Sequence, residues 1–427
     1  MGSTATSAPQ NVVLVIGLGY VGLPLAVRAA EAGFRVTGLD SDEQRVKRLE
    51  AADSYIEDIP NERLLPLLDS RRLSVTTDYA DGVGFDVCVI SVPTPLRDGA
   101  PDLRCVESAG RSIAPLLRPG AVVVLESTTY PGTTEETLLP ILEGGSGLRA
   151  GKGFRLGYSP ERIDPGNTRW HLENTPKVVS GIDDDSLEAI TEFYDRIVTR
   201  TVQVSSPRTA ELTKLLENTF RQVNIALVNE LAMCARALGV DIWEAVGAAA
   251  TKPFGYMPFT PGPGVGGHCL PVDPSYLSWQ VRQKLQHDVR FVSLAHEINE
   301  HMPEYVVRRV EGGLAGLGRT LADARVLVLG LAYKKNTGDV RESPAAAVAE
   351  LLMVRGARVR AVEPHADPQV LPPTVLCVDL TEAEIAAADA VVVLTDHDDF
   401  DYGLVERHAT YVFDARNRCR GDRIDRL

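Results

Sequence analysis

The stretch NVVLVIGLGYVGLPLA, residues 11–26, decides the fold of the N-terminal part of the chain. Its apolar first half, Asn11–Ile16, is typical of a strand that is buried on both faces of a sheet, and Leu23–Ala32 is expected to form a helix. Between them stand three glycines in the pattern G-x-G-x-x-G, namely Gly17, Gly19 and Gly22. A second apolar strand, Arg35–Asp40, follows, so the order predicts a βαβ unit of a Rossmann-like domain.

Each glycine of this pattern has a physical use in dinucleotide binding. The first allows a tight turn, the second lets the backbone approach a pyrophosphate, and the third lets the helix pack on the strand. Asp40 ends the second strand, where its carboxylate would accept hydrogen bonds from a ribose diol and repel a 2′-phosphate. We therefore predict NAD as the cofactor. The residues expected to bind it here are Gly17, Gly19, Tyr20, Val21, Gly22 and Asp40. The alternative is a glycine-rich turn that binds no ligand.

Polar turns that contain proline follow two later strands of the same domain. The strands are predicted at Asp86–Val92 and Ala121–Glu126, and the turns after them contain Thr94 and Thr128. Because ligands bind beyond the carboxyl ends of parallel strands, we expect both threonines to contact cofactor or substrate. The alternative for each threonine is a helix N-cap.

A charged turn follows the next predicted strand, Phe154–Ser159. Glu161 and Arg162 lie in this turn and are candidate substrate contacts, with Glu161 as a buried acid near the reaction centre. The alternative is a surface loop in which these two residues form an ion pair.

About thirty residues without proline or glycine, Thr209–Leu238, predict one long helix. We expect this helix to connect two domains and to contact a second subunit. Lys214 and Asn218 are four residues apart, so they project from one face and are candidates for acting on a substrate oxygen. By spacing alone we favour the alternative, a solvated face that they share with Glu211 and Glu217.

The stretch KPFGYMPFTPGPGVGGHCLPVDP, residues 252–274, is so rich in glycine and proline that a loop is predicted. The backbone of such a loop can lie close against another group. Cys269 lies in it, and Asp273 follows four positions later. The cysteine is either a small buried apolar residue or a nucleophile. A metal site of His268 and Cys269 is a further alternative, although no other ligands at zinc spacing are nearby.

The first pattern partly recurs in the C-terminal part of the chain. Strands are predicted at Arg325–Leu329 and Arg358–Val362, and Ser343 with Pro344 predicts the start of the helix between them. Cationic residues stand in or near the first turn in place of a full glycine pattern: Lys334, Lys335 and Arg341. We expect this domain to hold a nucleotide partly through these side chains; the alternative is a purely structural domain. Glycines at 312, 313, 316 and 318 are interpreted as a linker before it.

Composition narrows the possible functions. The formal net charge of -14 argues against DNA or RNA as a partner. No apolar run is long enough for a membrane helix, and the N-terminus lacks the pattern of a signal peptide. Scattered cysteines without a Cys-x-x-Cys pair favour reduced thiols in the cytoplasm and no metal. The expected fold is α/β, with two Rossmann-like doubly wound domains, 1–205 and 316–427, joined by a central helical domain, 206–315.

Seven motifs together resemble the UDP-glucose/GDP-mannose dehydrogenase family, the nucleotide-sugar 6-dehydrogenases, from about Val12 to Arg418. They are GLGYVGLPLA (17–26), SVPTP (91–95), ESTTYPGTTEE (126–136), SPERIDPGN (159–167), ELTKLLENTFRQVNIALVNE (211–230), FTPGPGVGGHCLPVD (259–273) and GLAYKKNTGDVRESPA (330–345). Three of these regions look most like the branch that acts on UDP-N-acetylglucosamine or its epimer, namely STTYPGTTEE (127–136), SPERIDPGN (159–167) and PFGYMPFTPGPGVGGHC (253–269).

The resemblance implies oxidation of a sugar C6 alcohol to a carboxylate with two NAD and one water, by a homodimer formed through the central helix. It implies Cys269 as the nucleophile, Lys214 and Asn218 as the pair that holds the substrate oxygen, and Glu161 as an acid. Thr128 and Asp273 would position a water or assist proton transfer. The implied substrate contacts are Glu161, Arg162, Lys214, Asn218, Phe259, Gly264, Gly267, Tyr333 and Lys334, and Thr94, Thr128 and Arg341 would contact NAD.

Several functions stay open at this point. The substrate is expected to be UDP-N-acetylglucosamine or UDP-glucose, and the alternative is dTDP-glucose or another nucleotide hexose of a natural-product pathway. A two-electron dehydrogenase of the hydroxyacid type would use Lys214 and Asn218 but need no cysteine. A non-catalytic protein that binds nucleotides or senses redox state through Cys269 is the third class.

Overall fold

The structure is a computed structural model that describes residues 12–56, 58–164, 167, 169–267 and 269–427. Of Cys269 it describes only the backbone, and Asn11 and His268 lie outside the described residues. The chain divides into two compact units, Met1–Glu217 and Asn218–Leu427. Each unit has its own large sheet.

The strands of the first unit are β1 (Val12–Ile16), β2 (Arg35–Leu39), β3 (Leu73–Thr76), β4 (Val87–Ile90), β5 (Leu96–Arg97), β6 (Ala100–Pro101), β7 (Val122–Leu125), β8 (Arg155–Tyr158), β9 (Lys177–Gly181) and β10 (Thr201–Gln203). Eight of them form one sheet in the order β10-β9-β8-β7-β4-β1-β2-β3, whose neighbours are parallel except for β8 and β9. The short strands β5 and β6 form a separate antiparallel pair.

The helices of this unit are α1 (Gly22–Glu31), α2 (Glu43–Glu50), α3 (Asn61–Asp69), α4 (Arg104–Ile113), α5 (Leu139–Ser146) and α6 (Asp184–Asp195), and α7 (Pro207–Ala237) continues into the second unit. Alternate residues of the central strands enter two separate hydrophobic clusters, one on each face of the sheet. Val13 and Val15 belong to one cluster, whereas Leu14 and Ile16 belong to the other. Burial on both faces explains the continuous apolar runs of these strands.

The second unit begins with helices α8 (Ile242–Ala250), α9 (Cys269–Leu285) and α10 (Arg290–Gly316). Its strands are β11 (Arg325–Leu329), β12 (Arg358–Val362), β13 (Leu376–Cys377), β14 (Ala390–Val393), β15 (Val412–Asp414) and β16 (Ile424–Arg426), alternating with α11 (Pro344–Val354), α12 (Glu382–Ala387) and α13 (Tyr402–His408). The six strands are all parallel, in the order β13-β12-β11-β14-β15-β16. The expectation of two doubly wound α/β domains with one long helix between them along the chain is confirmed.

The strand order reverses beside the first strand of each sheet. In the first unit β2 and β4 flank β1, and in the second unit β12 and β14 flank β11. Open parallel sheets bind ligands beyond the carboxyl ends of the strands at such a reversal. The turns after β1 and β4, and those after β11 and β14, are therefore the places where ligands are expected.

The end of the glycine-rich stretch is helical, although its composition predicts a loop throughout. Helix α9 begins at Cys269 and contains Pro271 and Pro274. Pro271 lies in the first turn, where the backbone amide has no partner within the helix, so proline is tolerated there. The loop prediction is wrong over this part because composition does not register the position of a proline within a helix.

The linker predicted from glycines 312, 313, 316 and 318 is also wrong, because α10 continues to Gly316. A Cβ atom on Gly313 would lie 2.1 to 2.7 Å from atoms of the Tyr411 ring. Glycine at this position therefore lets the ring pack against the helix backbone. Residues of the same helix, from Met302 to Leu314, share a hydrophobic cluster with β11 and β14.

We expect Gly313→Ala to lower the free energy of unfolding by roughly 1–3 kcal/mol, because the added methyl group overlaps the Tyr411 ring. Gly312→Ala is the matched control, since no atom lies within 4 Å of a Cβ there. In that helix interior alanine should raise the free energy by roughly 0.5–1 kcal/mol. Urea unfolding of both variants measures the difference, and equal changes would contradict the role of the Tyr411 contact.

Candidate active site

The turn after β1 has the geometry of a dinucleotide-binding turn. Gly17 has φ +89°, and a Cβ there would lie 2.3 Å from the carbonyl oxygen of Ser91. At Gly22 a Cβ would lie 1.8 Å from the carbonyl oxygen of Gly17, whereas at Gly19 it would meet nothing within 4 Å. The turn is thus tightly packed at Gly17 and Gly22 and leaves open space at Gly19, which fits the approach of a pyrophosphate.

Asp40 lies at the end of β2 and is already fixed by the backbone. Its Oδ2 accepts a hydrogen bond from the amide of Leu18 at 2.8 Å, and its Oδ1 accepts one from the amide of Asp42 at 2.9 Å. Each carboxylate oxygen retains a second lone pair, so the residue fits a ribose diol. Tyr20 and Val21 are half-buried in the turn itself.

Two hydrogen bonds join the turns after β4 and β7. The Thr94 hydroxyl donates to the carbonyl oxygen of Thr128 at 2.7 Å, and the Ser127 hydroxyl donates to that of Val92 at 2.7 Å. Thr94 is buried and Thr128 half-buried. The N-cap alternative is wrong for Thr94, because the strand β5 (Leu96–Arg97) follows it rather than a helix.

A buried network that sequence reasoning missed lies behind these turns. Lys177, the first residue of β9, forms an ion pair with Glu126 and donates to the carbonyl oxygen of Pro160 at 3.1 Å. The Tyr194 hydroxyl donates to the other carboxylate oxygen of Glu126 at 2.9 Å. Burial, and then the Glu126 charge, raise the pKa of Tyr194, which keeps its proton for this bond. Glu126 stands two residues before Thr128, and Pro160 stands directly before Glu161. The network therefore links the turn after β7 with the turn after β8.

Charge next to an apolar strand is the signal that would have revealed this network. Glu126 ends the run AVVVLE and Lys177 begins KVVSG. A charged side chain in such a position is buried with its strand and must find a partner of opposite charge.

Lys214 lies on the buried face of α7 and binds Glu161. Its Nζ donates to the carbonyl oxygen of Glu161 at 2.7 Å and lies 3.1 Å from Oε2, and the two residues are 5% and 7% exposed. Arg162 instead pairs with Glu217 at 2.7 Å. The solvated face favoured for α7 and the Glu161–Arg162 ion pair are therefore both wrong.

Glu211 stands one turn before Lys214 and is fully buried. Its carboxylate accepts hydrogen bonds from the amide of Gly132 at 2.5 Å, and from the amide and hydroxyl of Thr134 at 2.9 and 2.7 Å. Burial raises the pKa of Glu211 to about 7, although these hydrogen bonds act to lower it. The residue ties α7 to the turn that follows Thr128.

In the second unit Asn218 binds Asp273. The Asn218 Nδ2 donates to Oδ2 of Asp273 at 2.6 Å, and both residues are buried. Asp273 lies four residues after Cys269 in α9, so the two positions share one face of the helix. The side chain of Cys269 and all of His268 lie outside the described residues, so the alternative metal site at these two residues does too. Elsewhere in the described ranges, no three side chains of His, Cys, Asp or Glu come together as for a metal ion.

The glycine loop before Cys269 is fixed by neighbouring protein groups. The Gly262 amide donates to Oδ1 of Asn229 at 2.9 Å. Gly264 and Gly267 have φ +135° and +80°, and a Cβ on them would lie 3.0 Å from Pro344 and 2.8 Å from the Tyr333 ring. On that side the glycines make room for protein side chains.

The remaining predicted contacts lie in the second unit. The Phe259 ring packs edge-on against that of Phe220, with centroids 5.8 Å apart. Lys334 is half-buried in the turn after β11. Arg341 binds Asp339 through Nε and Nη2, at 2.9 and 2.6 Å.

Three sequence models of one family match the chain in succession. They describe an NAD binding domain at residues 11–198, a central domain at 208–301 and a UDP binding domain at 327–421. The chain belongs to the UDP-glucose/GDP-mannose dehydrogenase family. The expected family, the dehydrogenase class and NAD as the cofactor are thereby confirmed.

Curated relatives of this dehydrogenase include enzymes named for UDP-N-acetylhexosamines. The UDP-N-acetyl-D-mannosamine dehydrogenase of Pyrococcus horikoshii is 36% identical over 412 residues, 95% of each chain. The UDP-N-acetyl-D-glucosamine 6-dehydrogenase of Pseudomonas aeruginosa is 39% identical over 334 residues, 78% of this chain and 77% of that one. The solved structure of the Pyrococcus horikoshii enzyme superposes with a TM-score of 0.88 and 34% identity, covering 97% of this chain and 99% of that one.

Across the part of this dehydrogenase that the structure describes, no helix has both the length and the apolar character that crossing a membrane requires.

Gly19→Ala should raise the KM for NAD about tenfold or more without changing thermal stability, because the methyl group enters only the space left for the cofactor. Gly144→Ala in α5 also meets nothing within 4 Å and should leave the KM for NAD unchanged, although alanine in this helix should raise thermal stability slightly. Initial rates at varied NAD, together with thermal denaturation, test this. An unchanged KM in Gly19→Ala would show that the open space is not the pyrophosphate site.

Proposed function

We propose that this dehydrogenase oxidises the C6 alcohol of a UDP-N-acetylhexosamine, UDP-N-acetylglucosamine or its C2 epimer, to the uronic acid. The observation that carries the proposal is the buried polar face of α7, where Lys214 with Glu161 and Asn218 with Asp273 occupy successive turns. Such costly buried groups are expected where a reaction uses them. The relatives named for UDP-N-acetylhexosamines support the choice of sugar.

In the first oxidation, Lys214 and Asn218 hold the C6 oxygen. The turn after β1, with its open space at Gly19, would hold NAD, which would supply the hydride acceptor for both oxidations. The ammonium group of Lys214 stabilises the negative charge that develops on the oxygen as its proton leaves. Glu161 keeps this ammonium in place through its carbonyl and carboxylate oxygens.

Cys269 then retains the aldehyde. Its thiolate adds to C6 to form a thiohemiacetal, whose second hydride loss leaves a thioester. Water breaks the C–S bond, so one alcohol and one water yield one carboxylate, while two NAD are reduced and three protons are released. Cys269 is the first residue of α9, and the N-terminus of a helix favours the thiolate form.

Asp273 is proposed to handle the water of the last step, with Thr128 and Glu161 assisting. The amide of Asn218 binds one oxygen of Asp273 at 2.6 Å and so orients the carboxylate. A carboxylate held in this way can accept a proton from the attacking water.

The three parts of the chain divide the work in this proposal. Residues 1–205 hold NAD, to which Thr94 and Arg341 contribute, and 206–315 supply the long helix and Cys269. Residues 316–427 hold the nucleotide through Tyr333 and Lys334, while Arg162, Phe259, Gly264 and Gly267 border the sugar. A cytoplasmic location accords with the described cysteines, which form no disulfide: Cys88, Cys105, Cys234, Cys377 and Cys419.

We also propose a homodimer formed through the outer face of α7. Its exposed apolar side chains, with 44% to 64% of their surface accessible, are Leu212, Leu216, Phe220, Leu227 and Leu231. Their spacing of four or seven residues places them on one face, as in helices that pair along a seam. A second copy of the same helix presents a matching surface.

The proposed chemistry is tested by counting NADH. Wild-type protein with a panel of UDP-, dTDP- and GDP-sugars should form two NADH per sugar, fastest with a UDP-N-acetylhexosamine. Cys269→Ser should lose full turnover by about a thousandfold or more and still bind NAD, because an ester is a poorer acyl donor than a thioester. Cys105→Ser, at an exposed cysteine, is the control.

Each other outcome of this assay selects a different function. Unchanged turnover in Cys269→Ser would remove the cysteine from the mechanism. One NADH per substrate would favour the two-electron hydroxyacid type, and preference for UDP-glucose or a dTDP-sugar would replace the proposed sugar. No NADH from any nucleotide sugar would refute the proposed class of substrate.

The double variant Leu227→Glu/Leu231→Glu should convert the dimer into a monomer, because four charges would enter an apolar seam. Val354→Glu changes an even more exposed apolar residue, at the end of α11, and should leave the dimer intact. Light scattering coupled to gel filtration gives the mass of each. A monomeric wild type, or a dimer that persists in the double variant, would refute this interface.

A further inference from the structure

Glu363 directly follows β12, as Asp40 directly follows β2. The two carboxylates have different partners. Its Oε2 accepts hydrogen bonds from the amides of Leu331 and Ala332, at 2.7 and 2.9 Å. These amides begin residues 331–337, hereafter the 331–337 loop. The Glu363 side chain is fully buried. Burial acts to raise its pKa, but the neighbouring His397 and the amides of Leu331 and Ala332 outweigh burial and lower the pKa. The ionised carboxylate therefore binds the backbone amides of the 331–337 loop.

His397 connects this carboxylate with the other end of the loop. Its Nε2 lies 3.1 Å from Oε2 of Glu363, and its Nδ1 accepts the backbone amide of Asn336 at 2.9 Å. A backbone amide can only donate, so Nδ1 carries a lone pair and Nε2 carries the proton. The fully buried imidazole is thus held as one neutral tautomer between the two ends.

Asn336 needs this support because of its backbone conformation. Its φ is +56°, in the left-handed region that side chains other than glycine rarely adopt. Its Nδ2 donates to Oδ2 of Asp398 at 2.7 Å, and the Asp398 amide donates to its Oδ1 at 3.0 Å. With the bond to His397, three hydrogen bonds hold the turn at this residue.

The 331–337 loop carries two of the predicted substrate contacts. Lys334 and Tyr333 lie between the two tethered ends, and the Tyr333 amide donates to the carbonyl oxygen of Asp339 at 3.1 Å. The Tyr333 ring lies where a Cβ on Gly267 would be only 2.8 Å away. Gly267 stands two positions before Cys269, so the loop also supports the cysteine segment.

We infer that His397 is a positioning residue for the nucleotide-sugar site, holding the 331–337 loop by accepting the Asn336 amide on Nδ1. The inference rests on the proposed function, because it takes a nucleotide sugar as the ligand of Lys334. In place of a carboxylate that binds ribose, this domain uses Glu363 and His397 to fix a cationic loop.

Three substitutions separate the two hydrogen bonds of the imidazole. His397→Asn places Oδ1 where Nδ1 lies and keeps the acceptor for Asn336. His397→Gln keeps a donor toward Glu363 but loses that acceptor, and His397→Phe loses both. The matched control is His365→Asn, whose ring centroid lies 4.7 Å from that of His397 but which pairs with Asp399 at the surface.

The KM for the UDP-sugar, and the Kd for UDP measured by calorimetry, should rise about tenfold in the Gln and Phe variants. Both should change less than about threefold in His397→Asn and in the control, and the KM for NAD less than about twofold in all of them. Amide hydrogen exchange in the 331–337 loop should become faster only in the Gln and Phe variants.

Wild-type affinity for the UDP-sugar in the Gln and Phe variants would overturn the positioning role. So would a loss in His397→Asn equal to that in His397→Phe, or an equal rise in the KM for NAD, which indicates general damage to the fold. Wild-type protein that fails to bind UDP would defeat the proposed function itself and this role with it. Binding by the wild type with unaffected variants would defeat the positioning role alone.

Discussion

Helix α7 has a buried polar face and an exposed apolar face. The proposed reaction depends on the polar face, and the proposed dimer depends on the apolar face. A buried charge or amide is costly unless it is paired. Glu211 therefore binds the amides after the Thr128 turn, Lys214 binds Glu161, and Asn218 binds Asp273. These pairs place the functional loops relative to the helix within each unit, and the exposed apolar face is the one that the proposed dimer would use.

The two doubly wound sheets share a topology but use the turn after their first strand differently. In the first unit the turn is closed by Gly17 and Gly22 and open at Gly19, which suits a pyrophosphate. In the second unit the acid after the second strand, Glu363, is occupied by loop amides and His397. The turn after β11 can then offer side chains such as Lys334 to a ligand, whereas the turn after β1 offers backbone.

Several parts of this architecture could be predicted without coordinates because they rest on neighbouring residues. The apolar runs marked the central strands to within a few residues, and Ser343 with Pro344 marked the start of α11, where Ser343 accepts the amides of Ala345 and Ala346. Composition failed at α9, where the first helical turn tolerates Pro271, and at α10, where Gly313 accommodates the Tyr411 ring. Both failures involve a position within a helix or a distant neighbour.

By itself, the sequence determined the two α/β domains, the long helix and the NAD turn. Those features depend on local spacing and on the period of apolar residues, which a single chain displays directly. Only the tertiary structure decided that Lys214 and Asn218 face inward and that Glu363 serves a loop. Burial of these groups depends on partners far away in the chain, such as Glu161 and Asp273, which lie 53 and 55 residues from Lys214 and Asn218.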